Sequence, residues 1–213
     1  MIMRNPPFDQ RMARVLVRPL VHTPVTPNHL TAISLIFALA GAALLATGGT
    51  GWQEWGAGLF VVARFMDHFD GELARQSGLK SRFGYYFDYV AGSLSYAALF
   101  GTIGFGLADG VLGGWVIGLG LAGMLSALLS MGLNLEIDVE SGGAVDGTAI
   151  GYPGMAGFEL EDGIYLLPPV TWFGYLTPFF AAAGIGATLY CLWTVVTLLR
   201  LRSRRREKEP SRS

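Results

Sequence analysis

Three aspartates, an arginine, two glycines and an alanine stand at fixed intervals near the first third of the chain. They are Asp67, Asp70, Gly71, Ala74 and Arg75, then Gly84 after eight residues and Asp88 after three more. Written as a pattern this is D-x-x-D-G-x-x-A-R-x8-G-x3-D. A carboxylate at the centre of a membrane helix costs roughly 2.5–3.5 kcal/mol on insertion scales, so three beside an arginine in an apolar chain need a counter-charge. Oxygen ligands of this kind suit a hard divalent cation, Mg²⁺ or Mn²⁺.

The spacing predicts how these residues meet. With residues 64–76 on a helix, Asp67, Asp70, Gly71 and Ala74 form an i, i+3, i+4, i+7 stripe flanked by Arg75. Gly84 and Asp88 lie one turn apart on the next helix. The short connection from Gln76 to Phe83 returns the chain antiparallel and brings Asp88 to the Asp67–Asp70 pair. Gly71 and Ala74 leave room for a ligand against the backbone. Arg75 offers a charge-assisted fork to a phosphate. His68 stands between two aspartates but points about 100° from Asp67, which makes it a weak candidate for a base.

The elements that must position this group are membrane helices. The chain has 213 residues, 52% hydrophobic and 15% charged, where a soluble domain would be about a quarter charged. The fold class expected is all-α and polytopic, with six transmembrane helices over about 29–47, 52–76, 83–107, 111–133, 161–174 and 176–200. A loop over about 134–160 carries Glu136, Asp138, Glu140 and Asp146, and Glu159, Glu161 and Asp162 favour the start of the short fifth helix. Pro24 and Pro27 break the chain before the first span, and Thr26 or Asn28 caps it. In the fourth span Gly114, Gly118 and Ala122 predict a small-residue packing face. The single Cys191 reads as a small packed hydrophobe, with no disulfide framework.

Three regions follow: an N-terminal juxtamembrane amphipathic segment over 1–28, a six-helix domain over 29–200, and a basic tail over 201–213. Residues 8–20 alternate apolar and basic positions as an interfacial helix does. No cleavable signal peptide is expected, because no continuous apolar run precedes Leu30. The fifteen Lys and Arg residues fall before the first span, between Arg64 and Arg82, and from Arg200 onward. Six spans put all three clusters on one side, which the positive-inside rule makes cytoplasmic, together with both termini. The location expected is the cell membrane, a bacterial inner membrane or its equivalent.

The spaced motif resembles that of the CDP-alcohol phosphotransferases, six-helix membrane enzymes. They move a substituted phosphoryl group from a CDP-linked donor, usually CDP-diacylglycerol, to an alcohol and release CMP. Thr26-Pro27-Asn28 before the first span and the position of the motif on the helix 2–helix 3 hairpin agree with it. The resemblance implies that Asp67, Asp70 and Asp88 bind Mg²⁺ or Mn²⁺, that Gly71, Ala74 and Gly84 accommodate the nucleotide together with Asp67, and that Arg75 meets the diphosphate. It also implies a homodimer. One position departs from the pattern: the family's fourth aspartate, the base for the acceptor hydroxyl, is Gly92 here. General-base help is worth about 10²–10⁴ in rate, so turnover is in question while nucleotide and metal binding are not.

Three readings stand at this stage. One is phosphatidyl transfer from CDP-diacylglycerol or a similar donor in phospholipid biosynthesis. A second is a CDP-lipid-binding member with weak or no transferase activity. A third is a small ion-coupled transporter, which explains the carboxylates but not Gly71, Ala74, Arg75 and Gly84. The partners expected are the donor, a small alcohol and membrane lipids, with no nucleic acid. The acceptor expected is not phosphorylated, because no Lys, Arg or His occurs from Phe83 to Leu199 to hold a second phosphate, whereas nine Asp and Glu do.

Overall fold

The computed structural model of the chain describes residues 8–141, 154–155 and 158–208. It is all-α apart from a two-residue antiparallel pairing of β1 (Gly154–Met155) with β2 (Phe158–Glu159). The helices are α1 (Phe8–Leu16), α2 (Pro27–Leu45), α3 (Thr50–Ser77), α4 (Arg82–Gly106), α5 (Trp115–Ser141), α6 (Leu167–Trp172) and α7 (Leu176–Lys208). Short 3₁₀ turns over Arg18–His22 and Leu160–Leu166 lead into α2 and α6. Among the described residues, three helical stretches, Pro27–Leu45, Trp115–Glu140 and Leu176–Arg204, are long and apolar enough to cross a membrane.

Local sequence sets the boundaries that matter for the motif. Thr26 caps α2: its side chain accepts from the His29 amide, and Pro27 occupies the first turn where no donor is lost. Gly78 ends α3 in the left-handed region, at φ 73°, which a side chain would resist. Three residues later the Ser81 side chain accepts from the Gly84 amide and starts α4. The α3–α4 hairpin is therefore closed by a glycine stop and a serine start three residues apart.

Small residues fix how the helices pack. α2 and α3 cross where Gly41 meets Gly56; a Cβ on Gly56 would stand 2.7 Å from the Gly41 carbonyl oxygen. α4 and α5 meet antiparallel at Gly104 and Gly120, where a Cβ on either would stand within 3.0 Å of the other's Cα. Around them Phe60, Phe100, Ile103, Leu167 and Phe180 form the main core. The face expected from Gly114, Gly118 and Ala122 is not the packed one. A Cβ at Gly114 or Gly118 meets open space, and Val116, Gly120 and Gly123 turn inward instead.

Two further expectations are corrected. The fourth long helix continues to Ser141, so Glu136, Asp138 and Glu140 are helical rather than in a loop. Ile137 and Asp138 are buried against the bundle, and that packing carries the helix past Gly132. The expected fifth span is a seven-residue 3₁₀ turn followed by the six-residue α6. An α-helix of six residues is about 9 Å long, far short of a 30 Å hydrocarbon core. Pro168 and Pro169 remove two amide donors at its start, and Gly174, at φ 77°, follows its end. Asp146 lies outside the described residues.

α5 and α7 run side by side in the same direction. Leu119 lies against Gly184 near one end, and Glu136 pairs with Arg202 near the other. The connection between Ser141 and Leu176 thus returns the chain to the end at which α5 begins. α1 packs on the far end of α3: Ala13 and Val17 are fully buried, and Val17 joins Leu30 and Leu73 in a second small core.

Candidate active site

Asp67, Asp70 and Asp88 converge. One carboxylate oxygen from each lies within 4.8 Å of the others, a cluster supplied by two helices joined through the Gly78–Ser81 turn. Their surroundings differ. Asp70 is buried, and its carboxylate accepts from the Thr31 hydroxyl of α2 and from the Gly71 amide. Asp67 is half-buried and pairs with Arg64 Nη1 at 2.9 Å, while Arg64 also lies over the Tyr96 ring at 4.9 Å. Asp88 is exposed. The donor set fits a hard divalent cation: three carboxylates within one coordination sphere, the most buried one oriented by two hydrogen bonds from neighbours that cannot themselves compete as cations.

The remaining motif residues surround the same space. Asp67, Asp70, Asp88, Gly71, Ala74, Arg75 and Gly84 all line one cavity of about 790 Å³, as do His68 and Gly92. Arg75 crosses the face of Gly71, so a Cβ there would touch its guanidinium at 3.4 Å. Its guanidinium binds Glu72 through Nε at 2.9 Å and Nη2 at 2.8 Å. Glu72 also accepts from Arg14 Nε at 3.2 Å and Gln76 Nε2 at 2.9 Å, which ties α1 to the base of the motif. Gly84 has a steric duty: a Cβ would stand 2.9 Å from Asn28 Oδ1 and 3.1 Å from Ser81 Oγ. The glycine thereby lets the start of α2 close against α4. At Gly92, the position where the resemblance implies an aspartate, a Cβ meets nothing within 4 Å, and the residue lines the cavity.

Residues the sequence reading passed over complete the wall. On α5, Ser126, Ser130, Asn134 and Asp138 recur every four residues, and the first three line the cavity. Asp138 is fully buried and accepts from the hydroxyls of Tyr85, at 2.7 Å, and Tyr89, both of α4. The signal was legible: a four-residue polar repeat inside an otherwise apolar span is expensive unless it faces a partner. Glu136, by contrast, makes an exposed ion pair with Arg202.

The fold and the site define a helical membrane protein with a carboxylate cluster in the wall of a large, partly apolar cavity. The chain belongs to the CDP-alcohol phosphatidyltransferase family, whose model matches residues 24–156. It is 34% identical over 98 residues to a phosphatidylinositol phosphate synthase of Corynebacterium glutamicum, a match that spans 44% of each chain. The structure resembles that of the Mycobacterium tuberculosis phosphatidylinositol phosphate synthase with CDP-DAG bound, with a TM-score of 0.66 at 18% identity, over 88% of this chain and 94% of that one. The same enzyme in complex with manganese and citrate superposes with a TM-score of 0.67 at 18% identity, over 88% of each chain. At that identity the likeness speaks for the fold.

Proposed function

We propose that the protein transfers a phosphatidyl group from CDP-diacylglycerol, or a similar CDP-linked lipid, to a small alcohol and releases CMP. The observation that carries this reading is the convergence of Asp67, Asp70 and Asp88 within 4.8 Å in the lining of the cavity, together with Gly71, Ala74 and Arg75. Mg²⁺ or Mn²⁺ held by the three carboxylates supplies charge neutralisation for a diphosphate. The solved relative with CDP-DAG bound supports the donor class, and the one with manganese supports the cation.

The chain's own residues divide the work. Thr31 and Arg64 hold Asp70 and Asp67 in place. Gly71, Ala74 and Gly84 give the nucleotide access to the backbone surface, and Arg75, anchored by Glu72, presents its guanidinium to the diphosphate. The acceptor oxygen attacks the phosphorus that bears the diacylglycerol, the bond from that phosphorus to the CMP oxygen breaks, and the hydroxyl proton must leave. No carboxylate stands at position 92 to take it. His68, which lines the cavity, or water takes the proton, at a cost in rate. The ion-coupled transporter has no place in this family.

The architecture proposed is six crossings with both termini cytoplasmic, the fifth being the return of the chain between α5 and α7 rather than one long helix. The parallel course of α5 and α7 supports an even count, since the chain returns between them. Residues 1–28 form the juxtamembrane segment, 29–200 the catalytic bundle and 201–213 a basic tail facing anionic lipid, and the unit is a homodimer. The acceptor proposed is not phosphorylated. Of the cations that line the cavity, Arg64 is paired with Asp67 and Arg75 with Glu72, and Lys80 sits on the α3–α4 turn.

A second reading keeps the binding site and drops the chemistry, because Gly92 leaves the base position open. Purified protein given CDP-diacylglycerol, Mn²⁺ and a panel of alcohols separates the two. Alcohol-dependent CMP release supports transfer. Metal-dependent donor binding with no CMP release under any alcohol supports the binding protein.

A further inference from the structure

Arg64 is the one buried cation among the described residues. Its side chain is 8% exposed and lines the cavity one turn from Asp67, toward the packed end of α3. Nη1 donates to Asp67 Oδ2 at 2.9 Å, and the guanidinium lies 4.9 Å from the centre of the Tyr96 ring of α4. That ring packs edge-on against the fully buried Phe60, with 6.1 Å between centroids. Burying a guanidinium is costly, and a carboxylate and an aromatic face offset that cost only where both are held in place. The other Lys and Arg of the cavity wall differ: Arg75 is exposed and bound to Glu72, and Lys80 is exposed on the α3–α4 turn.

The ligands around Arg64 are few. Among the described residues, the only carboxylates lining the cavity are Asp67, Asp70 and Asp88, and Gly92 adds none. Asp70 already accepts from the Thr31 hydroxyl at Oδ2 and from the Gly71 amide at Oδ1, and Asp67 accepts from Arg64 at Oδ2. The two donors on Asp70 are neutral, so they orient it without competing for its charge. The donor on Asp67 is a cation, and it does compete. Three carboxylates and one guanidinium leave two negative charges, which one divalent cation cancels. A second would leave the wall net positive in surroundings that screen charge poorly.

We propose, on the footing of the transferase reading, that Arg64 is a resident counter-cation of the aspartate cluster. It neutralises Asp67 while no metal is bound and limits the protein's own ligands to one divalent cation. Arg64 is thus a positioning residue that sets the stoichiometry and affinity of the metal site. The diphosphate of a donor brings negative charge of its own, so the property belongs to the donor-free protein.

The test titrates Mn²⁺ into the full-length, donor-free protein in phosphatidylcholine nanodiscs by calorimetry, with empty nanodiscs subtracted. Wild type should bind one Mn²⁺ per chain. Arg64→Gln, which keeps a hydrogen-bond donor and removes the charge, should bind Mn²⁺ at least tenfold more tightly. Arg64→Lys, which keeps the charge, should stay within threefold of wild type. Thermal midpoints separate this from a packing role on Tyr96. Without metal, Arg64→Gln should melt below Arg64→Lys, and saturating Mn²⁺ should raise its midpoint by more than that of wild type. Should Arg64→Gln fold only with Mn²⁺ present, the dependence of its midpoint on Mn²⁺ concentration supplies the affinity. Two Mn²⁺ per wild-type chain overturns the proposal. So does an Arg64→Gln affinity equal to or weaker than wild type, or equal effects of the Gln and Lys variants, which a purely packing arginine would give. Wild type that binds no Mn²⁺ with or without CDP-diacylglycerol would overturn the transferase reading as well, and so is distinguishable from these.

Discussion

The two ends of the bundle use glycine for opposite purposes. Away from the aspartates, Gly41, Gly56, Gly104, Gly106 and Gly120 bring backbone against backbone, and a Cβ at Gly106 would collide with the Leu45 carbonyl oxygen. At the aspartate end the helices part around a cavity of about 790 Å³, where Gly92 meets nothing and Gly71 meets only the Arg75 guanidinium. Close packing at one end holds the helices rigidly enough to keep them apart at the other. That is how three carboxylates on two helices are kept together without a compensating collapse of the site.

Substitutions at the two ends should therefore fail differently. The largest effect is expected at Gly92. A Cβ at Gly92 meets open space, and Gly92→Asp puts a carboxylate where the resemblance implies the base, so it should raise CMP release by about 10-fold or more, toward the roughly 10²–10⁴ range of general-base catalysis, while donor affinity stays within about twofold. Reduced turnover, measured with the same donor and alcohol, would show that the cavity requires a small residue there. Next comes Thr31→Val, which removes the hydroxyl that orients Asp70. Mn²⁺ affinity measured by calorimetry should drop by about 10–100-fold, the usual range for an outer-shell partner. Unchanged affinity would separate α2 from the site.

At the packed end the expected loss is in stability. Gly104→Ala puts a methyl 2.9 Å from the Gly120 Cα and should cost about 1–3 kcal/mol, read as a lower thermal midpoint. Gly118→Ala on α5 enters open space and should gain about 0.5–1 kcal/mol from helix propensity. Equal effects at the two positions would contradict the packing assigned to this helix pair.

How much of this was legible in the sequence follows the same division. The aspartate cluster was readable because its information is local: i, i+3, i+4 spacing and a short hairpin suffice to bring Asp67, Asp70 and Asp88 together. The caps at Thr26 and the turn after Ser77 were readable for the same reason. The packing face of α5 was not, since Gly114, Gly118 and Ala122 have the right spacing and the wrong azimuth, and only the partner helix decides which stripe turns inward. The short α6 was mistaken for a span because its composition is apolar; Pro168, Pro169 and Gly174 limit its length, which composition does not report. The polar ladder Ser126, Ser130, Asn134 and Asp138 was visible as a four-residue repeat. Its meaning depends on Tyr85 and Tyr89, which lie about fifty residues earlier in the chain.

The central claim is that the three aspartates act as one cation-dependent site for a CDP-linked lipid. Its most direct test is binding of CDP-diacylglycerol to wild type and to Asp88→Asn in nanodiscs, titrated with Mn²⁺ and followed by calorimetry, with Glu140→Gln as the control on the neighbouring helix. Asp88 is the exposed member of the cluster, so its replacement leaves the core untouched. Metal-responsive, saturable binding should appear in wild type and in Glu140→Gln and be absent in Asp88→Asn. Retained metal-responsive binding in Asp88→Asn would contradict the account.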